Sequence, residues 1–231
     1  MMKIHADLTQ RATVYTPDLP WLDSPMFGVQ RRMLDRDGEE VARATSLVRY
    51  APDSHFSAHT HGGGEEFLVL EGTFSDEYGD YTAGTYIRNP VGSTHTPSSQ
   101  RGTTILVKLW QMHAHDQQRV VIDTKTAPWY PGLVDGLEVM PLHSFGSENV
   151  ALVKWLPGTQ FKHHSHLGGE EIFVLDGVFE DEYGTYPKGT WLRNPNDSRH
   201  TPFSTSGALI YVKTGHLPQT VAPTVAATAL K

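Results

Sequence analysis

The chain contains no cysteine among its 231 residues. Disulfide staples, cysteine-based zinc sites and thiol nucleophiles are therefore all excluded. It also lacks a run of about 18 apolar residues anywhere, and its opening, MMKIHADLTQRATVY, has no apolar stretch of the signal-peptide kind. A soluble cytoplasmic protein is the default expectation. A basic surplus is missing too, since the formal net charge is −7. A net-acidic surface is repelled by nucleic-acid phosphates and by anionic membranes, so neither is an expected partner. Sustained helical periodicity is absent as well. What remains is 21 Gly, 15 Pro and 10% aromatic residues, a composition suited to short strands joined by many turns.

The dominant positive feature is an internal repeat. A shift of 105 positions lays Leu47–Lys108 on Leu152–Lys213 without a gap, with 33 identities in 62 positions. Upstream the echo continues after a small length change, with Pro20-Trp21 answering Pro128-Trp129. Two units of about a hundred residues are a duplicated domain rather than a solenoid, which needs three or more short repeats. The boundaries read from the sequence are 14–115 and 120–217, with 218–231 as a loose tail. Each copy is all-β by pattern. FLVLEGTF, TYIRNP and TILVKLW in the first copy, and IFVLDGVF, TWLRNP and ALIYVK in the second, are short apolar or alternating runs separated by turn clusters.

Chemistry concentrates in HTHGGGEEFLVLEG and its echo HSHLGGEEIFVLDG. In a strand His59 and His61 share one face, with Cα atoms about 7 Å apart, a two-toothed grip on a metal ion. The glycines let the backbone bend closely and deliver Glu65 four residues beyond His61. His95 returns from about thirty residues downstream, within reach on an antiparallel strand. The second copy repeats each element as His164, His166, Glu170 and His200. Taken singly, an H-x-H pair is most often a surface pair and a Gly-Gly-Glu-Glu most often a turn. Here both copies keep all four residues at identical spacing while neighbours drift, as Gly62/Leu167 and Thr94/Arg199 show. Drift around fixed positions marks two metal sites. Three neutral imidazoles and one carboxylate suit a first-row divalent ion and leave a centre of net charge +1. Zinc or iron fits, as would manganese or nickel, at about one ion per repeat.

These residues resemble the two cupin motifs, G(X)5HXH(X)3,4E(X)6G and G(X)5PXG(X)2H(X)3N. The resemblance implies two tandem jelly-roll β-barrels, a bicupin of the RmlC-like kind. In the first copy His59, His61, Glu65 and Gly72 match motif one, with Asp53 at the leading glycine. Gly84, Pro90, Gly92 and His95 match motif two. The second copy has Gly158, Gly189, Pro195 and His200, with Asp197 at a motif glycine. Ser99 and Ser204 replace the closing asparagine. Within cupins, H-x-H-x-G-G-E-E, DEYG, RNP and S-x-H-T-P are similar to the ChrR-like group. That group includes cupin domains of zinc-dependent anti-sigma factors and iron-dependent dioxygenases of diketone-like or hydroxyacetophenone-like compounds. The resemblance implies a metal-binding bicupin acting as a small-molecule dioxygenase on a diketone or hydroxyketone. Its alternative is a non-enzymatic zinc-binding regulatory or sensor cupin. A sigma-factor partner is not expected, because the cysteine-using N-terminal zinc domain of ChrR has no counterpart here. A small-molecule ligand is, and a homodimer is compatible with both readings.

Secondary assignments complete the reading. Either Glu65 or Glu66 fits the motif spacing, and the six-residue gap to Gly72 favours Glu65, as the gap to Gly177 favours Glu170 over Glu171. Glu66 and Glu171 are then expected on the opposite side, as solvated carboxylates or as supports of the ligands. Arg88/Arg193 and Lys108/Lys213 are expected in structural pairs with Asp76/Glu77 and Asp181/Glu182. Tyr86/Trp191 and Tyr50/Trp155 are assigned to core or pocket walls. His55, His113, His115 and His163 break the repeat and read as surface histidines.

Overall fold

The alternation of the strands decides the architecture, because it gives each one two different apolar faces. In a computed structural model, which describes residues 2–219, Ile105 and Val107 face one way from the strand Thr103–Leu109 while Leu106 faces the other. Strands Glu65–Asp76 and Arg43–Tyr50 repeat the pattern with Phe67/Val69 against Leu68 and Val48 against Leu47. One face fills the interior of the first barrel. The other builds a second core with Phe173, Leu152, Tyr211 and Trp191 of the second repeat. Ile172, Val174, Leu192 and Ile210 fill the second barrel's interior. Burying a side chain of this size is worth about 1.5–3 kcal/mol. The central core therefore holds the barrels face to face, and the all-β bicupin of two tandem jelly-roll barrels is what the chain forms.

The principal sheets have matching orders. In the first, Val29–Asp37, Arg43–Tyr50, Thr103–Leu109, Glu65–Asp76 and Thr85–Asn89 lie side by side and antiparallel. In the second, Leu137–Phe145, Glu148–Trp155, Ala208–Thr214, Glu170–Asp181 and Thr190–Asn194 do the same. The outer strand of each sheet comes from beyond the repeat it completes. Val120–Asp123 pairs with Thr85–Asn89, while Ala12–Tyr15 pairs with Thr190–Asn194. The exchange covers edge backbone groups that would otherwise be unpaired.

The long strand of each repeat changes layer midway. Glu65–Gly72 pairs within the principal sheet, and Thr73–Asp76 pairs with Gly79–Thr82 on the opposing side. At the bend Gly72 has φ +73°, and a Cβ there would lie 2.0 Å from the carbonyl oxygen of Gly102. Gly177 repeats this at φ +69° against Gly207. That is the physical content of the motif's closing glycine. Among the described residues the helical content is one 3-10 turn, Thr16–Asp18, and no helix is long and apolar enough to cross a membrane. The tail assigned from sequence lies outside the described residues from position 220 onward.

Candidate metal centres

Each candidate site is assembled by a short antiparallel pair at a barrel mouth. His59–Thr60 pairs with Thr94–His95, setting His59 opposite His95. His164–His166 pairs with Ser198–His200, setting His164 opposite His200. A turn follows His61, whose carbonyl accepts from Gly64 and from Gly92. It feeds Glu65 into the first position of the long strand. The ligating atoms of His59, His61 and His95 lie within 4.8 Å of one another, as do those of His164, His166 and His200. His61 Nε2 is 2.9 Å from His95 Nε2, and His166 Nε2 is 3.0 Å from His200 Nε2. Glu65 Oε2 stands 3.4 Å and 3.6 Å from the first two nitrogens. Glu170 Oε2 stands 3.6 Å from both of its counterparts. All eight residues singled out from the sequence thus converge as two sets of four.

The atoms around them orient the donors. His95 Nδ1 lies 3.3 Å from Asp76 Oδ2 and His200 Nδ1 lies 3.1 Å from Asp181 Oδ2. An ionised carboxylate only accepts, so the proton sits on Nδ1 and the Nε2 lone pair faces the site. The Nδ1 atoms of His59 and His164 donate to the carbonyls of Ser57 and Lys162, with the same consequence. Asn89 donates to Glu65 Oε2 at 3.1 Å, and Asn194 to Glu170 Oε2 at 2.9 Å. Lone pairs this close repel unless a proton or cation lies among them. Ligands about 2.1 Å from one ion and at right angles to each other are themselves about 3 Å apart. The donor set fits a divalent ion.

Charge tuning supports the same view. Burial pushes the His61 imidazole below its ordinary value, aided by His95 and His59 and opposed by Glu65. His166 behaves likewise. Burial would also lower His95, but the hydrogen bond to Asp76 and the charge of Glu65 outweigh it and the net shift is upward. Asp181 is buried, yet hydrogen bonds from His200, Tyr186, Tyr183 and Arg11 hold it down at about 2. Asp76 and Asp181 are the positioning residues that sequence reasoning assigned elsewhere. Their signal was the DEYG phrase common to both copies.

The paired charges differ from expectation in a second respect. Glu66 and Glu171 do face away from the sites, but they are buried between the barrels rather than solvated. Glu66 accepts from Lys213 at 2.6 Å and from Arg88 at 2.5 Å, and Tyr211 also donates to it. Glu171 accepts from Lys108. Arg88 further pairs with Asp116 and Glu148, and Arg193 with Asp35. These cations serve the interface and not the acidic turns, because strand alternation points them outward while Asp76 and Asp181 point to the histidines. His55, His113, His115 and His163 are exposed, as read.

The second site opens into a cavity of about 550 Å³, lined by Val139, Val153, Trp155, Phe161, Ile210 and Val212 above His164, His166 and Glu170. Trp155 is a pocket wall, and Tyr86 and Trp191 lie in the central core.

The family model for the ChrR Cupin-like domain matches residues 9–113 and again 117–218, so the chain belongs to the ChrR cupin-like family. No curated protein matches it. Among solved structures, a candidate dioxygenase of Nostoc punctiforme superposes with a TM-score of 0.73 at 16% identity, covering 93% of this chain and 85% of that one. The protein Ylba of E. coli gives 0.70 at 16% identity over 96% and 97%. Oxalate decarboxylase of Lactobacillus farciminis, solved as a formate complex, gives 0.61 at 10% identity over 90% and 86%. At these identities the likeness is one of fold.

Proposed function

We propose that the chain is a metal-dependent oxygenase of small ketones, with His164, His166, Glu170 and His200 holding one divalent ion and His59, His61, Glu65 and His95 another. The observation that carries this reading is the second donor set lying at the floor of an apolar cavity. A purely structural ion has no need of such a chamber, whereas a reacting ion needs an open face and a dry approach. Iron, when bound, supplies oxygen chemistry and a net-positive centre for an enolate oxygen.

This chain's own residues do the rest. Asp181 keeps the His200 proton on Nδ1, and Asn194 orients the Glu170 carboxylate. Phe161, Trp155 and Phe179 exclude water and hold an apolar body against the histidines. A diketone or hydroxyketone that enters as its enolate, its acidic proton left with solvent water or buffer, meets no fixed anion in the cavity other than Glu170. The test is oxygen uptake by iron-loaded protein across a panel of such ketones. Uptake that needs iron and vanishes in His200→Ala supports the reading, and its absence across the panel overturns it.

A second reading, a zinc-binding regulatory cupin, is suggested by the name of the family, the ChrR Cupin-like domain. Zinc as the native metal in both sites, together with no oxygen uptake after exchange to iron, would establish that alternative.

A further inference from the structure

The repeat offset allows the two barrel mouths to be compared residue by residue. On the strands bordering the second cavity, Leu137 pairs with Trp155 and Val139 with Val153. In the first barrel Val29 pairs with Tyr50 and Arg31 with Val48. Residues opposite each other in an antiparallel pair share a face. Val48 belongs to the first barrel's interior, so Arg31 faces that interior where Val139 lines the second.

Arg31 is fastened there. Its Nη1 and Nη2 each donate to Glu40 at 3.1 Å, and its Nε is buried. Glu40 lies on the hairpin between Asp37 and Arg43, whereas the corresponding turn between Phe145 and Glu148 is only Gly146-Ser147. Arg36 ties the longer hairpin down by donating to the carbonyls of Glu39 and Glu40. Two further exchanges act in the same direction. Leu109 stands where Thr214 lines the second cavity, and Trp110 stands at the position of Gly215. Trp110 lays its indole on the glycine turn, where a Cβ on Gly63 would be 2.4 Å away. The second barrel has Gly215 and the exposed Leu167 in these places.

We infer that the barrels have divided their labour: the second alone admits an organic ligand, a molecule that offers oxygen donors to the ion and is otherwise apolar and without charge, while Arg31, Glu40, Leu109 and Trp110 latch the mouth of the first. The ligand class follows from the lining. Among the residues around the second cavity, the ionisable groups are His164, His166 and Glu170, and none is a lysine or arginine. A carboxylate carried on the part of the ligand turned away from the ion would meet no fixed cation in the apolar wall, at a desolvation cost nothing returns. The inference rests on the proposed metal sites but not on oxygen chemistry.

The experiment therefore uses protein loaded with zinc in both sites, titrated calorimetrically with benzoylacetone and with its ring-carboxylated analogue. Benzoylacetone is expected to bind at one equivalent per chain, at least tenfold more tightly than the carboxylate. Val139→Phe should weaken it tenfold or more with metal content unchanged, whereas Arg31→Val should leave that affinity within twofold. Two equal sites in the parent protein, preference for the carboxylate, no binding of either probe, or loss in Arg31→Val but not in Val139→Phe would each overturn it. Failure of the oxygenase reading shows separately, as binding at one equivalent without oxygen uptake once iron replaces zinc.

Discussion

Glu66 of the first barrel accepts a hydrogen bond from Lys213 of the second at 2.6 Å, and Glu171 of the second accepts one from Lys108 of the first. The two pairs are the same pair under the 105-residue offset, so the duplicated halves meet as an isologous dimer meets across its two-fold axis. All four side chains are buried. Removing one partner strands a charge in a low-dielectric interface. Glu66→Ala is expected to cost about 3–5 kcal/mol, with Glu66→Gln losing less. Exchanging Glu66 and Lys213 together for apolar residues of similar volume should recover most of the loss. Chemical denaturation of the single and double variants measures it.

Acid should undo the same interface. Burial alone would raise Glu66, but Lys213 and Arg88 outweigh it and hold the carboxyl at about 2. The folded state therefore binds this proton more weakly than the unfolded chain does. The stabilisation is complete above about pH 4.5 and is lost as pH falls toward 2. His216 adds an earlier slope of the same sign. Burial, with Lys213 and Lys108 adding to it against Glu171, pushes its imidazole down to about 4. The unfolded chain takes up that proton from about pH 6.5 downward, so stability declines between 6.5 and 4. His216→Gln should make this upper segment shallower, leaving the part that the depressed imidazoles of His61 and His166 contribute, and keep the segment below 4.5 in place, as read from unfolding free energies across the range.

Much of this was legible in the sequence, for one reason. Duplication supplies an internal control, and His59, His61, Glu65 and His95 stand out because their counterparts did not drift. The strands were legible from alternation, but alternation hides which outward face meets what. Glu66, Arg88 and Lys108 were therefore visible as fixed charges, while their true partners lay in the other repeat, with Lys213 147 positions away from Glu66. Arg31 was invisible as the counterpart of Val139 because both lie upstream of the ungapped match. There the longer hairpin, and a bulge in each strand at Met33/Asp35 and Pro141/His143, obscures the register.

Metal stoichiometry follows from two complete donor sets. Purified protein is expected to carry about two divalent ions per chain, and His61→Ala should leave about one, by elemental analysis. Glu65→Gln should empty the same site, because Glu65 Oε2 faces the imidazoles. Glu66→Gln should keep both ions and lose stability instead, since its carboxylate points into the interface. Metal loss in Glu66→Gln equal to that in Glu65→Gln would contradict the assignment.

Asp76 and Asp181 should matter to affinity without touching the ion. An asparagine can offer His95 or His200 an N–H instead of an acceptor, which favours the wrong tautomer. Asp76→Asn and Asp181→Asn are each expected to weaken metal binding by about 10–100-fold in their own barrel. Competition with a chromophoric chelator reads this directly. Unchanged circular dichroism at neutral pH would separate it from unfolding.

Asp53 and Asp197 occupy two glycine positions of the cupin motifs and keep a glycine's conformation, with φ of 58° and 60°. Their counterparts Gly158 and Gly92 have φ of 80° and 84°. Aspartate tolerates the left-handed region better than most residues, and a β-branched side chain tolerates it poorly. At Asp197 the conformation serves the site, because its amide donates to the carbonyl of His166 at 2.9 Å, as that of Gly92 does to His61. The turn therefore fixes the height of a ligand histidine. Asp197→Gly should preserve both stability and metal binding to within about 1 kcal/mol. Asp197→Val must either pay about 1–2 kcal/mol of strain or release the turn. In a chain of this size the strain lowers Tm by about 2–8 °C. Release would instead show as weaker metal binding in the second barrel with the first unaffected. Asp53→Val, which touches no ligand carbonyl, should show the drop in Tm alone.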